Sequence, residues 1–259
     1  MRRRDALAIL GGAAVWPVTS GAQSAEMPVV GFLRSTPSEP FKHLVVAFRE
    51  GLKETGFIEG HNVAIDYRWA DNRLDRLPDL AADLVQRQVA AIVGNRHAVQ
   101  AAKAATATIP IVFVLADDPV QSGFVASLSR PGGNITGVTF FAGGSLDVKR
   151  LELLQELIPK GAVLAVLLDP NYPESKGALP NVEAAARAFG QQIVVLTAAS
   201  EDELDAAFTR AVRTGAEAML VSGSPFFTSQ RRALVALAVH HAVPAILRPA
   251  RFRRTWRPD

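Results

Sequence analysis

Cysteine is absent from the 259 residues, which excludes disulfides, thiolate metal sites and cysteine nucleophiles. A long apolar run is missing too. The stretch Ala6–Val18 is broken by Gly11, Gly12 and Pro17, and it falls short of the roughly 20 residues that a spanning helix needs. Motifs for nucleotides and hydrolysis are also lacking. The first strand leads into GFLRST with one glycine, so a dinucleotide fingerprint is not formed. There is no Walker loop, no His-Glu-x-x-His and no Gly-x-Ser-x-Gly elbow. Neither catalytic chemistry nor a cofactor or metal has an evident carrier.

What is present is apolar and regular. Hydrophobic residues make up 49% of the chain, enough for one large or two modest cores. The net charge of +3 conceals an uneven distribution: the first 22 residues account for +2 and the last 12 for +4, which leaves the body at −3. A mildly acidic body offers no electrostatic footprint for nucleic acid.

The opening segment MRRRDALAILGGAAVWPVTSGAQS has the three parts of an export signal. Arginines come first, then a short apolar run, then small residues ending at Ala22. Residues 1–22 are therefore expected to be removed on export to the periplasm. Paired arginines fit the twin-arginine route, although the usual Phe-Leu after the pair is missing.

From Met27 strands and helices alternate. PVVGFL, VAIDYRW, AAIVG, PIVFVL and ITGVTFF read as strands, separated by helices over 38–56, from Pro78, and over 97–107. The first of these helices has Phe41, Leu44, Val45, Phe48 and Leu52 at core spacing. A second series follows: helices 145–158, 174–189, 201–213 and 228–241 alternate with AVLAVLL, QIVVL, EAMLV and VPAI. Continuous apolar strands between amphipathic helices predict parallel sheets covered on both faces. The expectation is an α/β protein of two Rossmann-like lobes, 27–140 and 141–247.

Ligands of open parallel sheets bind beyond the carboxyl ends of the strands. That rule selects the loops 34–37, 95–97, 116–119, 139–141, 169–175 and 222–227. Phe140-Phe141 and Phe226-Phe227 are either core at strand ends or, if one of each pair such as Phe140 and Phe226 faces the cleft, a flat apolar platform for a ring. Asn171 and Ser224 are neutral hydrogen-bonding groups beside them. Arg34 or Arg96 could pair with a carboxylate. Asp117-Asp118 could serve acid–base or metal chemistry, but an Asp-Pro after a strand more often caps a turn. His97 and His43 read as solvated, and His240 and His241 as cations at a helix C-terminus.

The segments MPVVGFLRS, AFREGLKETGFIEGHNVAIDYRWA, LPDLAADLVQRQVAAIV, IPIVFVLADDPVQSGFVASLSRPGGNITGV and RLELLQELIPK resemble the type I periplasmic substrate-binding proteins of ABC transporters. The branch is the one with tryptophan- and aromatic-acid-binding members, and RPGGNITG is the most specific piece. The resemblance covers roughly residues 1–246. It implies two lobes on a three-stranded hinge, closing on a small solute that passes to an inner-membrane ABC permease, with the binding protein a monomer. It also implies Ser35, Asn95, Asp118, Thr139 and Asn171 as solute contacts. Where members carry small residues after the third strand, this chain has Asn95-Arg96-His97, so the first lobe's contacts differ.

The family continues past VPAI with Phe, three residues, then Gly-Gly-Leu-Met, whereas this chain ends in the basic segment 248–259. Back-translated and shifted by one nucleotide, Phe252 to Asp259 permits that family pattern. The expectation is a frameshifted, incomplete second lobe and a poorly soluble product that binds no solute; the alternative is a genuine basic arm. Two other functional classes compete with solute binding. A regulator would need a helix-turn-helix where the export signal stands, and an enzyme would need the missing nucleophile or cofactor loop.

Overall fold

Among the described residues, nine strands form two separate sheets, and every pairing in both is parallel. The computed structural model describes residues 27–139, 145–156, 158–159 and 161–248. Residues 1–22, Phe140 and the tail from 249 therefore lie outside the described residues. The first sheet has the order β2-β1-β3-β4-β5, from β1 (Val29–Arg34), β2 (Ala64–Trp69), β3 (Ala91–Gly94), β4 (Ile111–Leu115) and β5 (Ile135–Thr139). The second has the order β7-β6-β8-β9, from β6 (Val163–Leu168), β7 (Gln192–Thr197), β8 (Ala216–Val221) and β9 (Ala245–Ile246).

Helices fill the connections. They are α1 (Lys42–Glu54), α2 (Leu77–Gln86), α3 (Arg96–Ala105), α4 (Ser145–Gln155), α5 (Pro173–Ala188), α6 (Glu201–Arg213), α7 (Pro225–Ser229) and α8 (Arg231–His240). Pro at the first positions of α2, α5 and α7 starts each without losing a hydrogen bond. Ser200 caps α6 through Glu203 N–H, and the Glu203 carboxylate in turn accepts from Ala199 N–H at 2.7 Å. None of these helices is long and apolar enough to cross a membrane.

The second sheet behaves as its apolar strands predict. Ala165 and Leu167 of β6 face Leu204, Phe208, Phe226 and Leu234, while Leu164, Val166 and Leu168 face Leu151, Leu154, Val182 and Ala186. Alternation on one strand thus serves two cores.

The first sheet departs from the expectation of two covered faces. One face is packed: Leu33, Ile92, Phe113 and Ile135 meet Leu77, Leu84, Val99 and Ala102 of α2 and α3. On the other face α1 covers only the β1–β2 side, with Phe48 5.3 Å from Phe32. Its apolar stripe is at most half-buried, and Leu44 is exposed. The register partners Val114 and Val138 are 37% and 62% exposed, because no described helix lies over β4 and β5 on this side. The helix expected over 228–241 is also two helices. Ser224 caps the short α7, and the chain turns at Gln230 before α8 begins.

Candidate functional site

Each sheet reverses its strand order once. The first does so between β1 and β3, the second between β6 and β8. The crevice outside such a switch point is where open α/β sheets bind ligands. Here the two crevices face each other. A cavity of about 20 Å³ is lined from the first sheet by Ser35, Asn72 and His97 and from the second by Asp169, Asn171 and Phe226. Leu74, Ala199 and Pro225 complete its wall. That volume holds about one water molecule, so a solute of amino-acid size enters only when the two halves part.

The floor on the first side is a reciprocal pair. Asn95 Nδ2 donates to Ser35 Oγ at 2.7 Å, and Ser35 N–H donates to Asn95 Oδ1 at 3.1 Å. Both residues are buried, so the pair locks the ends of β1 and β3 together. Gly94 lets α3 start this close, since a Cβ there would stand 2.9 Å from Ala98 Cβ and 3.2 Å from Leu33 O. The chain therefore delivers Arg96 and His97 directly to the crevice.

These two residues span the cleft. His97 Nε2 lies 2.8 Å from the carbonyl oxygen of Asn171, and a carbonyl only accepts, so Nε2 carries the proton. The other ring nitrogen, Nδ1, is buried without a hydrogen-bond partner. Burial holds the imidazole below its ordinary value of 6.5. His97 is thus half-buried at the heart of the cleft, which corrects the expectation of a solvated side chain. The sequence shows only a polar residue opening a helix; its cover comes from the distant Asn171.

Arg96 pairs with Asp117 on its own side and with Glu174 at the start of α5 on the other. Its Nη1 also donates to Ser122 Oγ at 2.7 Å. Burial raises the Glu174 carboxyl above its ordinary 4.5, and the neighbouring Asp117 adds to the effect. A third cross-link is Asn72 Nδ2 donating to Ser229 Oγ at 3.1 Å. Being occupied, Arg96 is not waiting for a solute carboxylate. Arg34 is buried with its guanidinium over the Phe41 ring at 5.1 Å, and burial lowers its pKa to about 10. It does not line the cavity.

The remaining candidates divide. Asn171 and Phe226 line the cavity. Ser224 is buried as the cap of α7, accepting from Phe227 N–H at 3.0 Å. Asp118 stands outside the cavity and accepts from Val120 N–H and Gln121 N–H at 2.8 and 3.3 Å, the capping role that Asp-Pro favours. Thr139 Oγ1 donates to the Asp117 carbonyl at 2.7 Å. Asn72 and Asp169 were not singled out by the residue pattern. Asp169 lies in a loop that the strand-end rule selects, 169–175, where it is buried. Among the described residues, no group of three or more His, Asp or Glu stands close enough together to hold a metal ion.

Two parallel sheets that face each other at their switch points, with a polar cavity between, define a two-lobed solute-binding fold. The chain belongs to the ABC transporter substrate binding protein family, whose pattern it matches over residues 37–252. It is 30% identical over 166 residues to the tyrosine-binding protein of Clostridioides difficile (strain R20291), a match covering 64% of this chain and 47% of that one. The chain thus spans about half the length of that relative. Two crystal structures share the fold. A conserved domain protein from Vibrio cholerae aligns with a TM-score of 0.74 and 23% identity over 85% of this chain and 73% of that one. An ABC domain from Streptococcus pneumoniae in complex with L-Trp aligns with a TM-score of 0.73 and 21% identity, over 84% and 72%. The fold is that of the type I periplasmic binding proteins, and the family is one of binding proteins rather than enzymes.

Proposed function

We propose, in place of the expectation of a product that binds no solute, that the chain is the solute-binding component of an ABC importer, exported to the periplasm through residues 1–22 and delivering its solute to an inner-membrane permease. Lobe one is 27–140 and lobe two 141–247. The solute is a small aromatic or branched amino or organic acid, held in the cleft between them. One observation carries this reading: the cavity at the facing switch points takes polar side chains from both lobes and one aromatic residue, Phe226, from the second. The names of the tyrosine-binding relative and of the L-Trp complex support the aromatic class.

A thermal-shift screen of aromatic and branched amino acids and their organic-acid counterparts tests it. A solute at 100 times its Kd stabilises the native state by about 2.7 kcal/mol, which raises Tm by about 5–10 °C for a chain of this size. At least one member of the set is expected to produce such a shift. A flat response to the whole set contradicts the reading.

A further inference from the structure

The cavity is rich in acceptors and poor in cations. Asp169 is 3% exposed. Its carboxylate accepts the Asn171 N–H at 2.9 Å and a hydrogen bond from the Ser224 side chain, but neither partner is a cation. Across the cavity, His97 has spent its only N–H on the Asn171 carbonyl, which leaves Nδ1 as a buried lone pair with no donor. None of the described lining residues is Lys or Arg. A buried carboxylate without a cation is costly, and a bare acceptor beside it raises the cost further. The two side chains are too few for a metal site.

The geometry points to a solute with a primary ammonium group, seated between the Asp169 carboxylate and His97 Nδ1, each accepting one of its donors. This deepens the proposed function, on which it rests, by choosing amino acids and amines over acids that lack nitrogen. A cavity of about 20 Å³ matches the size of an ammonium group rather than of a whole solute. The ring then lies along Phe226, where the lobes must part to admit it. Burial raises the Asp169 carboxyl above its ordinary 3.8, the cost that a bound cation would remove.

Isothermal titration calorimetry at pH 7.5 with ten probes tests the assignment. Indole, phenyl and isobutyl side chains are each presented as the L-amino acid, as the amine lacking the carboxylate and as the acid lacking the amine, and putrescine is the tenth. In any row that binds, the ammonium-bearing compounds are expected to bind about 10- to 100-fold more tightly than the acid. Asp169→Asn is expected to erase that preference. Acids binding as tightly as their amino acids would overturn the ammonium site and leave the solute class standing. Putrescine binding that depends on Asp169, with the other nine silent, would uphold the site and remove the solute class. If no ammonium-bearing probe binds, the inference is wrong. The head-group comparison in the unmodified chain decides the matter even if Asp169→Asn fails to fold.

Discussion

Asp117 and Asp169 each follow a strand of one lobe, and each is almost wholly buried at 1% and 3% exposure. Their surroundings differ in one respect. Asp117 has Arg96, and Ser122 Oγ donates to it at 2.6 Å. Asp169 likewise has a serine, Ser224, and the Asn171 N–H as hydrogen-bond donors, but no Lys or Arg paired with it among the described residues. A buried charge that the chain itself neutralises belongs to the scaffold, and here it also reaches Glu174 in the facing lobe. A buried charge left without its counter-ion is open to a partner from outside. Two similar residues beyond strand ends of the two lobes thus divide structure from recognition.

Breaking the paired side has the largest expected effect. Arg96→Ala strands Asp117 in the interior and is expected to destabilise the protein by about 3–5 kcal/mol in chemical denaturation. Adding Asp117→Asn should recover much of that loss, because the stranded charge is then gone. Full additivity of the two substitutions would mean that they do not form a pair.

The unpaired side should respond with the opposite sign. A carboxyl whose folded pKa is raised favours the fold below its unfolded value, and that contribution is lost as pH rises through the folded value. The ionised Asp169 carboxylate is thus the form that burial in the fold disfavours. Asp169→Asn is therefore expected to stabilise the solute-free protein by about 1 kcal/mol while weakening solute binding, the trade between stability and function seen at binding sites. A lower melting temperature for this variant would place Asp169 with Asp117 among scaffold residues.

The smallest expected effect is on pH dependence. With His97 lowered by burial in the closed cleft, closure gains from the neutral ring above about 6.5 and loses that gain as pH falls through the closed-state value. Asp169 and Asp117 oppose this shift and Arg96 adds to it. Solute affinity should therefore fall as pH drops below about 6.5, and His97→Gln should flatten the fall. An unchanged profile in the variant would remove His97 from the closing contacts.

Much of the fold was legible in the sequence because its signals are local. Runs such as AVLAVLL are long enough to be buried on both faces, and Gly or Pro marks the helix ends. The strand-end loops followed from topology, so Asn171 and Phe226 could be chosen from them, while Ser35 came from the family resemblance. What was not legible depends on meetings across the cleft. Nothing around His97 announces that Asn171 will cover it, and nothing in ADDP says that Asp117 turns inward to Arg96 while Asp118 caps its own turn. The open face over β4 and β5 does not follow from strand pattern, which reports burial and not which helix supplies it.

The absence of cysteine makes the decisive measurement clean. Asp75, whose side chain is 68% exposed in lobe one, and the exposed Arg232 in lobe two flank the Asn72–Ser229 contact at the cleft mouth. Cysteines at these two positions carry a single pair of spin labels, and electron–electron resonance reads the distance between lobes. With the tightest amino acid of the calorimetric panel, the distribution should collapse to one short distance, and its deaminated counterpart should leave it broad. The same distribution with and without saturating amino acid, or equal shortening by the acid, would contradict a cleft that closes on an ammonium-bearing solute.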